Sequence, residues 1–117
     1  MTTETDPTGR SAHEPGAKLD AGKLRPDLVF SAFAPALKAV AEVGTFGAAK
    51  YSDNGWLEVP DGINRYRDAA ARHKLKHDLG EVHDPDSGLL HLAHHAWNVL
   101  ASLTLYIEMR ERHAPNH

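Results

Sequence analysis

The chain has 117 residues, with 13 Lys and Arg against 16 Asp and Glu, a formal charge of −3. Length and composition (41% apolar, 25% charged) are those of one small soluble globular domain; mild acidity argues against a sequence-independent nucleic-acid binder, and no apolar run approaches the roughly 18 residues of a membrane span. The absence of cysteine excludes a disulfide framework and a thiolate metal site, so the nine histidines leave oxygen and nitrogen ligands as the option for any metal.

Residues 1–15 are polar, rich in Thr, Pro and Gly, and lack the apolar stretch of a signal peptide, so they read as a disordered tail and a cytoplasmic location is expected. Gly16 to Pro26 follows as an extended arm carrying Lys18, Lys23 and Arg25 among glycines. A helical pattern begins after Pro26 in Phe30, Phe33, Leu37 and Val40; Pro35 either kinks it or falls in its first turn, and Gly44 and Gly47 weaken its far end. Lys50 to Gly62 is turn-rich. A second helix is predicted over about 62–79, with Asp61 or Asn64 as cap and Gly80 as stop. Ile63, Tyr66, Ala70, His73 and His77 share one of its faces; Asp68, Arg72, Leu75 and Leu79 share another. An acidic turn, Glu81 to Gly88, precedes a third helix that is expected to be capped by Asp84, to start at Pro85 and to run to about Arg112. Its apolar stripe is Leu92, Ala96, Val99, Leu103 and Ile107. No strand is predicted. The fold class is all-α: a small bundle of about three main helices with an extended N-terminal arm, residues 16–113 forming a single domain.

Wound at helical pitch, His91, His94, His95, Asn98 and Ser102 form one stripe on the third helix, apart from its apolar face. Imidazoles three or four residues apart can share a cation. Glu81, Asp84 and Asp86 lie directly before them, and carboxylates spaced this way can hold a divalent ion with positions open for phosphate oxygens. His73 and His77 point inward on the second helix and face that stripe if the two helices pack. Lys18, Lys23, Arg25 and Lys50 suit phosphate recognition, and Tyr51, Asn54 and Trp56 suit contact with a nucleobase. Each piece also has a plainer role as solvated loop, helix cap or packed side chain.

The combination is more specific than its parts. Gly16-x-Lys18-x-Asp20-x-Gly22-Lys23-x-Arg25, Thr45-Phe46-Gly47-Ala48-x-Lys50-Tyr51, Asn54-x-Trp56, Arg72-His73, Gly80-Glu81-x-x-Asp84-Pro85-Asp86-Ser87-Gly88 and His91-Leu92-Ala93-His94 follow one another along nearly the whole ordered chain. The string resembles the phage-encoded dATP/dGTP diphosphohydrolase-like family. The resemblance implies an all-α fold related to MazG-type nucleotide pyrophosphohydrolases, which use divalent metal, assemble as dimers or tetramers, and cut a nucleoside triphosphate between the α and β phosphates. On this reading Glu81 and Asp84, with His91 and His94, are the expected metal ligands and Glu81 or His73 the general base, with Asp84 also in the catalytic group. Lys18, Lys23, Arg25 and Lys50 would neutralise the triphosphate; Tyr51, Asn54, Trp56 and Asn98 would contact base or sugar. MazG-type helices carry carboxylates where this chain has His91-Leu92-Ala93-His94. Imidazole ligands extend the expected metals from Mg²⁺ and Mn²⁺ to Co²⁺, Fe²⁺ or Zn²⁺.

Two functional expectations follow. The first is hydrolysis of a purine (deoxy)nucleoside triphosphate to monophosphate and pyrophosphate. The second is a nucleotide-sequestering protein without turnover; against it, three acids beside bound phosphate repel the ligand unless metal intervenes. A homo-oligomer is expected because the second helix is apolar on two faces. Neither a membrane nor a nucleic-acid partner is expected.

Overall fold

The computed structural model describes residues 3–114. In chain order the elements are α1 (Asp27–Phe30), α2 (Ala34–Lys50), a 3₁₀ turn (Gly55–Glu58), α3 (Gly62–Asp78) and α4 (His91–Arg112). There is no strand among the described residues beyond a single bridge pairing His83 with Leu90. The all-α expectation holds. The chain separates into two compact units, one up to Ala32 and one from Phe33 onward.

The N-terminal unit is built from turns. The Asp6 carboxylate accepts from the Thr8 hydroxyl (2.6 Å) and from the backbone N–H of Thr8 and Lys18, which together hold it below the usual carboxylate range. Ala21 N–H donates to the Thr5 carbonyl at 2.8 Å, and Lys23 pairs with Glu4 at 2.9 Å. Part of the segment read as a tail is therefore laid against the arm. Both partners of the Lys23 pair are exposed, so that pair adds little stability.

In the second unit, α2 starts after Phe33, whose backbone (φ −101°, ψ 17°) is not helical. The single helix predicted after Pro26 is thus two, and Pro35 falls in the first turn of the longer one, where a missing N–H costs nothing. Neither Gly44 nor Gly47 ends α2. Gly44 instead lets α2 approach α4: a Cβ there would sit 3.3 Å from the Trp97 indole nitrogen. Asn54 (φ 57°) and Asp61 (φ 54°) take left-handed turns that short polar side chains tolerate, and reverse the chain into α3. Trp56, Tyr66 and Trp97 meet edge to face with centroids 5.6 to 6.3 Å apart, and the Tyr66 hydroxyl donates to the Trp56 carbonyl at 2.8 Å. This cluster fastens the 3₁₀ turn to α3 and α4.

Gly80 (φ +104°) terminates α3 as expected, its N–H donating to His77 O while Glu81 N–H reaches back to Lys76 O. The third predicted helix begins later than expected, at His91 rather than Pro85. The Asp84 carboxylate takes the Ser87 N–H at 2.9 Å, but no helix follows, because Gly88 (φ +73°) turns the chain. Asp84 N–H then donates to Leu89 O, and His91 N–H to Val82 O, closing residues 82–91 into a tight loop.

The inner face of α4 is also the opposite of the one its apolar stripe indicates. Leu92, Val99, Leu103 and Ile107 are exposed, whereas His91, His94, Asn98 and Ser102 are buried against α3 and the 82–91 loop. The polar stripe goes inside because its hydrogen bonds are made there. Ser102 Oγ donates to Ile63 O at 3.0 Å, His95 Nδ1 to Ala70 O at 2.8 Å, and Asn98 Nδ2 to His94 O at 2.8 Å. These contacts run α3 and α4 antiparallel. The buried apolar side chains among the described residues are Val43, Ala70, Ala93 and Ala101, small enough for close helix approach.

Candidate metal centre

Three elements meet at one end of the α3–α4 seam. The fourth turn of α3 supplies His73, the first turn of α4 supplies His91 and His94, and the loop between the helices supplies Glu81, Asp84 and Ser87. His91 is fully buried. Its Nε2 donates to Glu81 Oε1 at 2.8 Å, which leaves Nδ1 as a lone pair directed at His73 Nδ1, also at 2.8 Å. His73 stacks on His94 with ring centroids 4.5 Å apart and planes tilted by 11°. The Ser87 hydroxyl donates to His94 Nε2 at 2.7 Å while accepting the Leu89 N–H, and Asp84 Oδ2 lies 3.8 Å from the same nitrogen. Phe46 of α2 closes the far side, edge-on to His94.

The electrostatics follow from burial. Desolvation, reinforced by the two neighbouring imidazoles, lowers the His73 pKa to about 4. Desolvation also lowers His94, against the pull of Asp84. Burial pushes the Asp84 carboxyl up, but the backbone and hydroxyl hydrogen bonds of Ser87 and the facing imidazoles outweigh it, so Asp84 sits below the ordinary carboxylate range. At neutral pH His73 and His94 are therefore neutral beside an ionised Asp84.

One donor atom each from His73, Asp84 and His91 lie within 4.8 Å of one another. Nitrogens bound to a common ion at about 2.1 Å each stand roughly 3 Å apart when at right angles, close to the spacing of the two Nδ1 atoms. Metal ligands must be deprotonated, and a His73 that stays neutral down to pH 4 meets that condition. Glu81, bonded to the far nitrogen of His91, stands where a carboxylate orients a ligating imidazole. The donor set fits a divalent ion.

The expected ligands Glu81, Asp84, His91 and His94 are all gathered here, and His73, expected as a base, is the residue that completes the three-donor group. Asn98 is buried one turn further along α4, bonded to the His94 carbonyl. Lys50, at the end of α2, pairs with Asp86 at 2.7 Å beside Phe46 and Tyr51; the pair raises its pKa. Tyr51 and Asn54 are exposed, and Trp56 is packed in the aromatic cluster. Lys18, Lys23 and Arg25 belong to the N-terminal unit and are exposed. Sequence reasoning did not assign Ser87 and Phe46 to the site. A Ser just before a Gly in the acidic turn was the available signal for the first; nothing local marked the second.

Residues 13–114 match the family model described as dATP/dGTP diphosphohydrolase, N-terminal. The chain is 36% identical over 81 residues to a dATP/dGTP diphosphohydrolase of Salmonella phage PMBT28, an alignment covering 69% of this chain and 26% of that protein. The chain thus spans about a quarter of the length of this curated relative. No solved structure matches it. No helix among the described residues is long and apolar enough to cross a membrane. With the family model covering nearly the whole described chain, this protein belongs to the dATP/dGTP diphosphohydrolase N-terminal family.

Proposed function

We propose that the protein hydrolyses a purine (deoxy)nucleoside triphosphate to the monophosphate and pyrophosphate with the help of a divalent metal. The observation that carries this reading is the convergence of a half-buried and a buried histidine, His73 and His91, with an ionised buried Asp84 in a family whose named relative is a dATP/dGTP diphosphohydrolase. His73, Asp84 and His91 would hold the ion, with Mn²⁺ and Mg²⁺ first among the candidates and the two imidazoles favouring Mn²⁺, Co²⁺, Fe²⁺ or Zn²⁺. When bound, the ion supplies Lewis-acid polarisation of phosphate oxygens.

The chain's own residues supply the rest. Glu81 holds the Nε2–H of His91 and so fixes its Nδ1 lone pair inward. Half-exposed at the edge of the site, Glu81 would also be the general base that takes a proton from the water attacking the α phosphorus. That attack forms the new P–O bond, breaks the bond between the α phosphorus and the bridging oxygen, and releases pyrophosphate. Ser87 keeps His94 from donating through Nε2, and Phe46 screens its face. Lys50 can exchange Asp86 for a phosphate oxygen, with Tyr51, Asn54, Trp56 and Asn98 as candidate base or sugar contacts.

The test is product analysis. Purified protein is incubated with each dNTP and NTP in Mg²⁺, Mn²⁺, Co²⁺ or Zn²⁺, and products are resolved by chromatography. Monophosphate and pyrophosphate from a purine substrate are the expected result. Nucleotide binding without product under every metal would overturn the enzymatic reading in favour of sequestration.

A further inference from the structure

Taking the nucleotide reading above as given, we infer that the cleft between α2 and the 82–91 loop receives the base, and that Glu42 and Lys38 make it prefer guanine to adenine. The cleft has a volume of about 470 Å³ and is lined by Lys38, Glu42, Thr45 and Phe46 of α2 and by Ser87 and Leu89 of the loop. That volume is within the range of small-ligand sites. Two of its walls are shared with the metal centre: the Ser87 hydroxyl bonds His94 Nε2, and Phe46 packs edge-on against the same ring. The cleft therefore opens directly from the place where the phosphates would sit.

Helix α2 sets the order of contacts. Lys38, Glu42, Phe46 and Lys50 follow one another at four-residue steps and form one ridge of the helix. Lys50 pairs with Asp86 of the loop and is the phosphate-binding cation of the proposed reaction. Glu42 stands two turns back, about 12 Å along the axis. A nucleotide with its phosphates at the metal and Lys50 lays its base along the cleft toward Glu42 and Lys38. Phe46 and Leu89 give that flat ring apolar surface to lie on.

The two charges select the base. Lys38 and Glu42 are exposed, and neither is ion-paired with the other or with another of the described residues. Lys ahead of Glu by four residues is the weaker order for a helix pair, which leaves both side chains available to a ligand. Guanine presents N1–H and the 2-amino group side by side, a two-point donor for a carboxylate, with O6 next to them as an acceptor for an ammonium. Adenine carries a lone pair on N1, which faces the Glu42 carboxylate with repulsion, and its 6-amino group gives Lys38 no acceptor in the place of O6. The carboxylate and the ammonium, one helical turn apart, thus match the guanine edge and oppose the adenine edge.

The experiment titrates dGMP and dAMP into the full chain in Mn²⁺ by calorimetry, so that no turnover is involved. The wild-type chain is expected to bind dGMP about 10 to 100 times more tightly than dAMP, the span of one good two-point base contact. Glu42→Gln and Lys38→Met exchange good helix formers on an exposed face and are expected to leave the fold intact. The Gln amide can donate to adenine N1 and accept from its 6-amino group, so in Glu42→Gln dAMP is expected to gain affinity while dGMP loses it. Lys38→Met is expected to weaken dGMP and leave dAMP as it was. Equal wild-type affinities, no binding of either nucleotide, or a ratio unmoved by Glu42→Gln would overturn the assignment. Product analysis with the triphosphates is read separately. Turnover without a base preference sinks the pocket and leaves the hydrolase; a dGMP preference without turnover sinks the hydrolase and leaves the pocket.

Discussion

His73 Nδ1 and His91 Nδ1 face each other at 2.8 Å across the α3–α4 seam, with the second nitrogen of His91 committed to Glu81. In the metal-free chain, His91 accepts and His73 donates. A neutral imidazole can move that hydrogen to its other nitrogen, after which both Nδ1 lone pairs point into one space beside Asp84.

This arrangement predicts a metal-dependent rise in melting temperature. At a free ion concentration 100 times the dissociation constant, the folded chain gains about 2.7 kcal/mol. Asp84→Asn keeps the shape of the loop and removes the anionic ligand, so it is expected to abolish most of that shift. Differential scanning calorimetry with Mn²⁺ and Zn²⁺ checks this. An unchanged shift in Asp84→Asn would remove the carboxylate from the site. The conservative change is preferable to His91→Ala, which empties a fully buried position and adds a cavity cost of its own.

Glu81→Gln separates holding a ligand from moving a proton. The amide oxygen of Gln still accepts the His91 Nε2–H, so metal affinity is expected to stay within about the 10-fold span of a mild outer-shell change. Turnover is expected to fall by about 10² to 10⁴, the range for loss of a general base. Titration calorimetry gives the affinity and steady-state kinetics the rate. Equal losses in both would make Glu81 a positioning residue alone.

How much of this was legible beforehand depends on what each signal measures. Helix α3 and its glycine stop were readable because both are local: seventeen residues of helical spacing and one backbone conformation. The start of α4 was misplaced because Asp84 and Pro85 make a good local N-terminus, and only the pairing of residues 82–91 shows that the turn closes on itself instead. That the apolar stripe of α4 is not its inner face has a related reason. Hydrophobicity ranks Leu103 above His91 for burial, but a histidine whose two nitrogens both find partners is at home inside. The His stripe itself, with Glu81 and Asp84 beside it, was visible in the spacing. That His73 would close the group was an inference about facing helices, and only their packing supplies the 2.8 Å contact.

The depressed His73 gives the metal-free chain a pH dependence of known sign. Its pKa is about 4 when folded and near 6.5 when unfolded, so between those values the unfolded chain binds more protons. Its contribution to stability is present above about pH 6.5 and is lost as pH falls toward 4; His94, lowered in the same direction, adds to the trend. Urea midpoints measured in chelator from pH 7.5 to 4.5 are expected to fall steadily. A flat profile across that window would mean that neither imidazole is held neutral by the fold.

The two interior glycines of α2 make a matched pair. A Cβ at Gly47 meets nothing within 4 Å, and the residue is in helical backbone, so Gly47→Ala is expected to stabilise by about 0.5 to 1 kcal/mol, or a few degrees in melting temperature. At Gly44 the added Cβ would come 3.3 Å from the Trp97 indole nitrogen, and Trp97 is held edge-on by both Trp56 and Tyr66. The ring has little freedom to retreat, so the propensity gain at Gly44→Ala is expected to be cancelled or reversed. Thermal melts of the two variants beside the parent decide it. If Gly44→Ala stabilised as much as Gly47→Ala, the aromatic cluster would have to be looser than its edge-to-face geometry indicates, and α2 would not depend on glycine for its approach to α4.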